Sequence, residues 1–493
     1  MPPSPTADND EDLRVGVPSQ RKLLAERFIR ACVMLLTLCL VYVAATSWLN
    51  CYRLARQPFQ FDYEEGNVLN AALRIRAGLT PYPPPGSWPV VINCYGPIPY
   101  YLTAALIQPS RLSFFGPRAA ILAAAVVVAV EIALLVWFFT GEVLLSLGFA
   151  ACYLGLPIVQ LWTPLLRVDL AGLAFSLGGL TLFCFSRRAR LLVPFLFSMA
   201  LLCKITFLAA PATCALILIR RRNWSQLRFY IPAMIVLVST SFAFVQWKTH
   251  GAFLFHQFGT HVDPLSFRNY GFLASIGLGQ VPMLLALSLI AVLRTKRVTE
   301  PLIYLLVSAA STMTALKIGS DSNHFLECAG ALCIFAAVGF REIRKMRGSP
   351  IAKAALIALC CAILVEQAWV HRAFYTSKGV VDGCSDAYSY ISQHHQVLSE
   401  NVGALLLMDR PVLLSNPFVY AQLVRHGNWP PGRVEQMVEQ TTADLVIIGK
   451  PEILEQRWSA PFLAALASNY HLTRRFACSD ATEAFEPNSG QTQ

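Results

Sequence analysis

Long apolar runs separated by short polar breaks dominate the chain, at about 28–48, 95–113, 118–139, 141–163, 169–186, 191–219, 229–247, 272–294, 300–316, 325–341 and 351–371. Uninterrupted runs of this kind predict helices surrounded by hydrocarbon, because a helix needs about 20 apolar residues to cross a bilayer core. After about residue 380 the pattern becomes that of an ordinary globular protein. There "PVLLS" and "DLVIIG" predict short buried strands around a helical "RVEQMVEQTT", which together describe a small α/β unit. No internal repeat of the kind that marks solenoids or inverted-repeat transporters is evident.

Composition sharpens this picture. The chain has 493 residues, of which 55% are hydrophobic and 14% charged, and a mean hydropathy of +0.50. Soluble domains carry about a quarter charged residues, so a polytopic membrane protein is predicted. The net charge of +11 comes in short clusters between apolar runs, as cytosolic loops require, and a nucleic-acid partner is excluded on that distribution. Most of the 14 cysteines lie inside apolar runs as small hydrophobes. Cys51, Cys94, Cys384 and Cys478 lie outside the predicted spans and leave room for bridges without fixing a pairing.

Charge also predicts topology. Residues 1–27 read as a disordered cytosolic tail, and the run from about Phe28 to Trp48 as an uncleaved signal-anchor preceded by Arg14, Arg21, Lys22, Arg27 and Arg30. The basic junctions at Arg111/Arg118, 187–190, 220–222, 294–297 and 341–347 are then all placed inside. Parity allows this only if two runs are hairpins, 191–219 turning at Lys204 and 141–163 turning near Cys152. Their legs, about 11 to 15 residues, are too short to cross and suit half-helices packed in protein or lining a cavity. The expectation is an all-α membrane domain over 28–371 with about thirteen segments, an inside N-terminus, and an exterior α/β domain over 372–485.

The exterior pieces collect the chemistry. In "FDYEEGNVLNAALRIRAG", Asp62 and Glu65 have the spacing of a capping box, and Gly78 and Pro81 end the helix. Glu65 shares a face with Leu69, Ala72 and Leu73, so it points toward apolar surroundings, where a carboxylate is paired or functional. Capping and catalysis are therefore both open for this stretch. "NCYGPIPYYL" carries Tyr95 in what is otherwise an interfacial aromatic entry. Arg167 and Asp169 read as a local ion pair, and Lys204, at a hairpin tip, as a cation that an anionic head group would neutralise. Lys317, Asn323, His324 and Glu327 lie in a polar turn that would rim an exterior cavity. His250, His256 and His261 fit no common metal spacing, and the "NWS" at Asn223 lies beside cytosolic arginines.

A first span followed by "DYEEG", "RIRAGLTPYPPP" and "YGPIPYYL" resembles the GT-C superfamily of polytopic glycosyltransferases, in particular its aminoarabinose transferase and protein O-mannosyltransferase branch. "LLRVDLAGLAFSLGGL", "LLCKITFLAAP" and "KIGSDSNHFLE" are similar to segments of bacterial members, so the resemblance covers roughly 28–371. It implies a sugar donor on a polyprenyl phosphate, a glycan, lipid or protein acceptor, a carboxylate base in the first exterior loop, and a site at the periplasmic face of a bacterial inner membrane. Where better-known members have Asp-Glu this chain has Glu64-Glu65, with Asp62 two residues earlier. By position Glu64 is the base and Glu65 its neighbour, and Asp62 can serve instead. Tyr95, Arg167, Asp169, Lys204, Lys317, Asn323 and His324 become candidate substrate-binding residues, among which the cations Lys204, Arg167 and Lys317 would stabilise the departing phosphate and His324 or Asn323 would donate hydrogen bonds. No metal or cofactor is called for, since polyprenyl phosphate is already a good leaving group, and a single displacement inverts the anomeric carbon. The rivals are a flippase for lipid-linked sugars and a non-catalytic assembly protein. A flippase needs charges on both sides of the membrane midplane, and a scaffold needs the acidic helix only to cap and dock.

Overall fold

The computed structural model describes residues 20–186, 192–346, 349–370, 378–430, 432–478 and 481–488. The tail up to residue 19, the basic run at 187–190 and the domain boundary at 371–372 lie outside these residues. The apolar runs become helices: α1 (Gln20–Ala55), α4 (Phe115–Thr140), α5 (Val143–Gly155), α6 (Pro157–Trp162), α7 (Asp169–Phe185), α8 (Leu192–Cys203), α9 (Ala209–Arg220) and α10 (Trp224–Lys248). The acidic α2 (Tyr63–Arg76) and the short α3 (Pro97–Leu106) lie between α1 and α4. Later apolar helices are Phe267–Leu278, Pro282–Thr295, Glu300–Ser311, Leu326–Arg344 and Pro350–Val370. Among the described residues α1, α4 and α10 are long and apolar enough to cross a membrane, and Phe267–Leu278 with Pro282–Thr295 add a fourth span if their 88° bend is counted as one path. On α10, Trp247 is 68% exposed and Ile235 60%. An apolar surface of that extent belongs in lipid, and the protein is a membrane protein.

The helix Leu326–Arg344 serves as a ruler about 28 Å long at 1.5 Å per residue. At one end Arg344 pairs with Glu142, and Arg341 Nη1 donates to the Phe139 carbonyl at 3.1 Å. At the other, the Trp162 indole donates to Ser322 Oγ at 3.2 Å and Asn323 Nδ2 to Asp169 at 3.0 Å. Residues 143–162 therefore run the full length of the ruler in one direction. The hairpin predicted near Cys152 is corrected to a single path, broken at Leu156-Pro157, where proline supplies no N–H. Gln160 Nε2 donates to the carbonyl of Gly155 at 2.6 Å across the break.

The parity error behind that hairpin traces to Arg118. Assigned to the side opposite the acidic stretch on charge, it instead binds Glu65 of that stretch, with both side chains fully buried. The run 95–113 is likewise no span: its α3 has 10 residues, about 15 Å, and carries the chain only part-way. Positive-inside statistics count loop charges, and a guanidinium neutralised inside protein is not one of them. The turn predicted at Lys204 does separate α8 from α9, each of 12 residues.

Residues 378–488 build a four-stranded sheet from β1 (Val397–Ser399), β2 (Leu445–Ile448), β3 (Tyr470–Arg475) and β4 (Glu483–Pro487), in the order β1-β2-β4-β3. β1 and β2 are parallel and fully buried, which explains the continuous apolar "LVII". "RVEQMVE" is helical as predicted, at Arg433–Glu439. "PVLLS" does not join the sheet. Its Leu413 carbonyl and Ser415 N–H instead pair with the two backbone groups of Val90, tying this unit to the first long loop. Cys384 and Cys478 form a disulfide across 94 residues, whereas Cys51 and Cys94 are free thiols. Replacing Cys384 by serine should destabilise the protein by about 2–5 kcal/mol, read as a lower melting temperature in thermal unfolding of the purified protein. An unchanged melting curve would show that the bridge constrains nothing.

Candidate active site

The capping box of α2 forms as its sequence requires. The Asp62 side chain accepts from Glu64 N–H at 3.1 Å, and Glu65 Oε2 accepts from Asp62 N–H at 3.2 Å. Glu65 then accepts four more hydrogen bonds, from Phe61 N–H at 2.8 Å, Leu166 N–H at 2.6 Å, and Arg118 Nε and Nη2 at 2.7 Å each. Arg118 gives its remaining donors to the carbonyls of Gln57 and Phe59 and lies over the Phe114 ring. Both groups are 0% exposed. Of the two readings left open for Glu65, the geometry favours the structural one: both its oxygens are taken by protein donors, and it anchors the helix.

On the other side of α2 a cavity of 430 Å³ opens, lined by Glu64, Tyr95, Arg167, Lys204, Lys317, Asn323 and His324. Six of these seven are among the predicted substrate-binding residues. Asp62 and Asp169 stand behind the wall and set its charge. Arg167 Nη1 binds Asp62 at 2.8 Å and its Nε is 3.8 Å from Asp169, so the expected local pair is the weaker of two. Lys204 is paired with Asp169 at 2.8 Å. Lys204 Nζ also lies 3.5 Å from His324 Nε2, and His324 Nδ1 lies 2.7 Å from Thr314 Oγ1. Burial, followed by the Lys204 charge, pushes the His324 imidazole well below its usual pKa, so it is neutral. With Nε2 accepting from Lys204, the ring proton is assigned to Nδ1 and donated to Thr314, whose own hydroxyl donates to the Ser311 carbonyl.

Glu64 faces the cavity, whose lining also includes the carboxylates of Asp263 and Asp321. Its Oε2 accepts from Asn67 Nδ2 at 3.2 Å and its Oε1 from Asn416 Nδ2 at 3.0 Å. Burial raises its pKa above the ordinary 4.5, with Asp62 adding to the rise while Arg167 and the two amides oppose it. Asp62 is raised too, chiefly by burial against the opposing Arg167 charge. Lys317 has no carboxylate within ion-pair distance among the described residues and reaches only the His261 carbonyl at 3.5 Å. Around the same space the buried Arg167 Nε, Asn323 Oδ1 and Asp263 Oδ1 make no hydrogen bond to protein. Sequence reasoning missed four lining or supporting residues. His261 and Asp263 carry no spacing signal, and burial drives their pKa to about 4 and about 6, respectively. Asn416 and Phe418 come from the C-terminal unit, and nothing in the sequence links them to residues 352 positions away.

No family model and no curated protein matches the sequence. Solved structures do match. ArnT from Cupriavidus metallidurans, bound to undecaprenyl phosphate, aligns with 92% of this chain and 98% of its own at a TM-score of 0.58 and 11% identity. The apo oligosaccharyltransferase of Archaeoglobus fulgidus aligns with 92% of this chain and 74% of its own, at a TM-score of 0.52 and 11% identity. The chain has the GT-C fold. At such identity the GT-C likeness transfers architecture and no residue roles, so the site rests on its own geometry. Since Arg118→Ala strands the Glu65 carboxylate in that GT-C core, it should cost about 3–5 kcal/mol in thermal unfolding, whereas Glu64→Gln should leave the melting temperature near that of the parent. Equal losses in the two variants would contradict the division into anchor and cavity group.

Proposed function

We propose that the protein is a membrane glycosyltransferase that moves a sugar from a polyprenyl-phosphate carrier to an acceptor at the exterior face of the membrane. The observation that carries this reading is one cavity holding a carboxylate, Glu64, together with the cations Lys317, Lys204 and Arg167. In the proposed step an acceptor hydroxyl or amine attacks the anomeric carbon while Glu64 takes its proton. The bond between that carbon and the phosphate oxygen breaks, and polyprenyl phosphate departs with the electron pair. Lys317, which makes no ion pair among the described residues, is the cation placed to receive that charge, and Arg167 and Lys204, already balanced by Asp62 and Asp169, hold the surroundings rigid and polar. Attack opposite the leaving group inverts the anomeric centre.

The proposed topology has eleven segments, because 95–113 is no span and 143–162 is one path. It keeps the N-terminus inside and the C-terminal unit outside. The Cys384–Cys478 bridge suits that unit's oxidising location, such as a bacterial periplasm. The undecaprenyl phosphate in the ArnT structure supports a lipid phosphate as ligand for this architecture.

Glu64→Gln is expected to lower turnover by about 100-fold or more in an assay with purified protein and lipid-linked sugars, while polyprenyl-phosphate binding persists. Transfer at the native rate by this variant would remove Glu64 as base, and a flippase or scaffold would survive the change. The base works deprotonated, so activity should fall as pH falls. Because burial raises the Glu64 pKa, the fall should begin above the pH at which an ordinary glutamate titrates. Lys317→Ala should raise KM for the lipid donor more than it lowers kcat at saturation, and an unchanged KM would exclude Lys317 from phosphate binding.

A further inference from the structure

The Glu64 carboxylate is gripped from the far end of the chain. Asn416 is 1% exposed and its side chain is fully determined by its neighbours. Its Oδ1 accepts from Val419 N–H at 3.1 Å, capping the helix Pro417–Arg425, and from the Tyr63 hydroxyl at 3.0 Å. The direction of the second bond is fixed, because Tyr63 already accepts from Phe418 N–H at 3.0 Å and must give its own proton to Asn416. With Oδ1 committed twice, the amide nitrogen is left facing Glu64 Oε1 at 3.0 Å. The Tyr63 ring is held in turn by the Arg457 guanidinium, 4.5 Å from its centroid, and Arg457 is tied to the buried Glu400 at 2.6 Å. Alongside, Gln60 Oε1 accepts from Gly403 N–H at 2.7 Å, and a Cβ on Gly66 would stand 2.4 Å from that same nitrogen. Helix α2 and the C-terminal unit are thus locked by glycine contact and directed hydrogen bonds.

We infer that Asn416 is a positioning residue for Glu64: its amide fixes the orientation of the carboxylate, which makes the C-terminal unit a working part of the active site. This rests on the reading of Glu64 as the base. An amide donor stabilises the charged carboxylate and opposes the burial that raises its pKa. The unit also supplies Phe418 to the cavity wall, packed so closely on Gly319 that a Cβ there would lie 2.5 Å from the ring.

Asn416→Asp separates this role from folding, because aspartate caps a helix as well as asparagine and still accepts from Tyr63 and Val419. It removes the donor toward Glu64 and sets a second carboxyl beside it. The acid limb of the kcat/KM–pH profile is expected to move up by one unit or more, giving about a tenfold loss on that limb that recovers at higher pH, with KM for the lipid donor changed less than about twofold. Tyr63→Phe, which frees the amide to flip, should move the limb in the same direction by less. The Glu64 carboxyl stretch, followed by infrared difference titration and identified by its loss in Glu64→Gln, should show the same upward shift without any turnover. An unchanged limb and unchanged carboxyl titration in Asn416→Asp would overturn the inference, as would a uniform loss at every pH. Failure of the parent protein to transfer sugar would instead strike the proposed function and leave the infrared result as the judge of Asn416.

Discussion

A carboxylate and a guanidinium that are both wholly withdrawn from water survive there only by neutralising each other, and Glu65 with Arg118 does so through a two-pronged contact. Such a pair gives little net stability, since desolvation consumes what the attraction provides. It gives position. It nails the first turn of α2 to the first turn of α4 and, through Leu166 N–H, to the strand of chain that carries Arg167. Successive residues on a helix point about 100° apart, so once Glu65 is turned into the protein, Glu64 is turned to the other side, where the cavity lies.

From that anchor the charges follow in sequence. Asp62 takes Arg167, Arg167 approaches Asp169, Asp169 takes Lys204, and Lys204 meets a neutral His324. Each cation in the series is already paired, whereas Lys317 feels Asp263 across the cavity without an ion pair among the described residues and Glu64 is hydrogen-bonded by two neutral amides. A cavity that sets the Glu64 carboxylate and the Lys317 cation in one space, beside paired Arg167 and Lys204, has the polarity that proton abstraction and phosphate departure require.

The helical architecture was legible because apolar runs of span length have few alternatives to helices, the capping box could be read from local spacing, and the turn at Lys204 from the parity of the basic junctions. Grouping of Tyr95, Arg167, Lys204, Lys317, Asn323 and His324 followed from placing their loops on one side. What failed was non-local. Arg118 looked like a loop charge because its partner is 53 residues away, and that single misplacement forced a hairpin into 141–163 to restore parity. The pairing of "PVLLS" with Val90 and the grip of Asn416 on Glu64 join distant segments by hydrogen bonds that leave no period in the sequence. For Glu65 the apolar helix face signalled a costly carboxylate but could not say how the cost is met; Arg118, 53 residues away, meets it.

The most direct measurement is an experimental structure with a polyprenyl monophosphate bound. The account predicts the phosphate within hydrogen-bond distance of Lys317 Nζ, inside the cavity beside Arg167 and Lys204, with room for a sugar between it and Glu64. A phosphate seated at the opposite end of the helices, with Lys317 and Glu64 untouched, would contradict it.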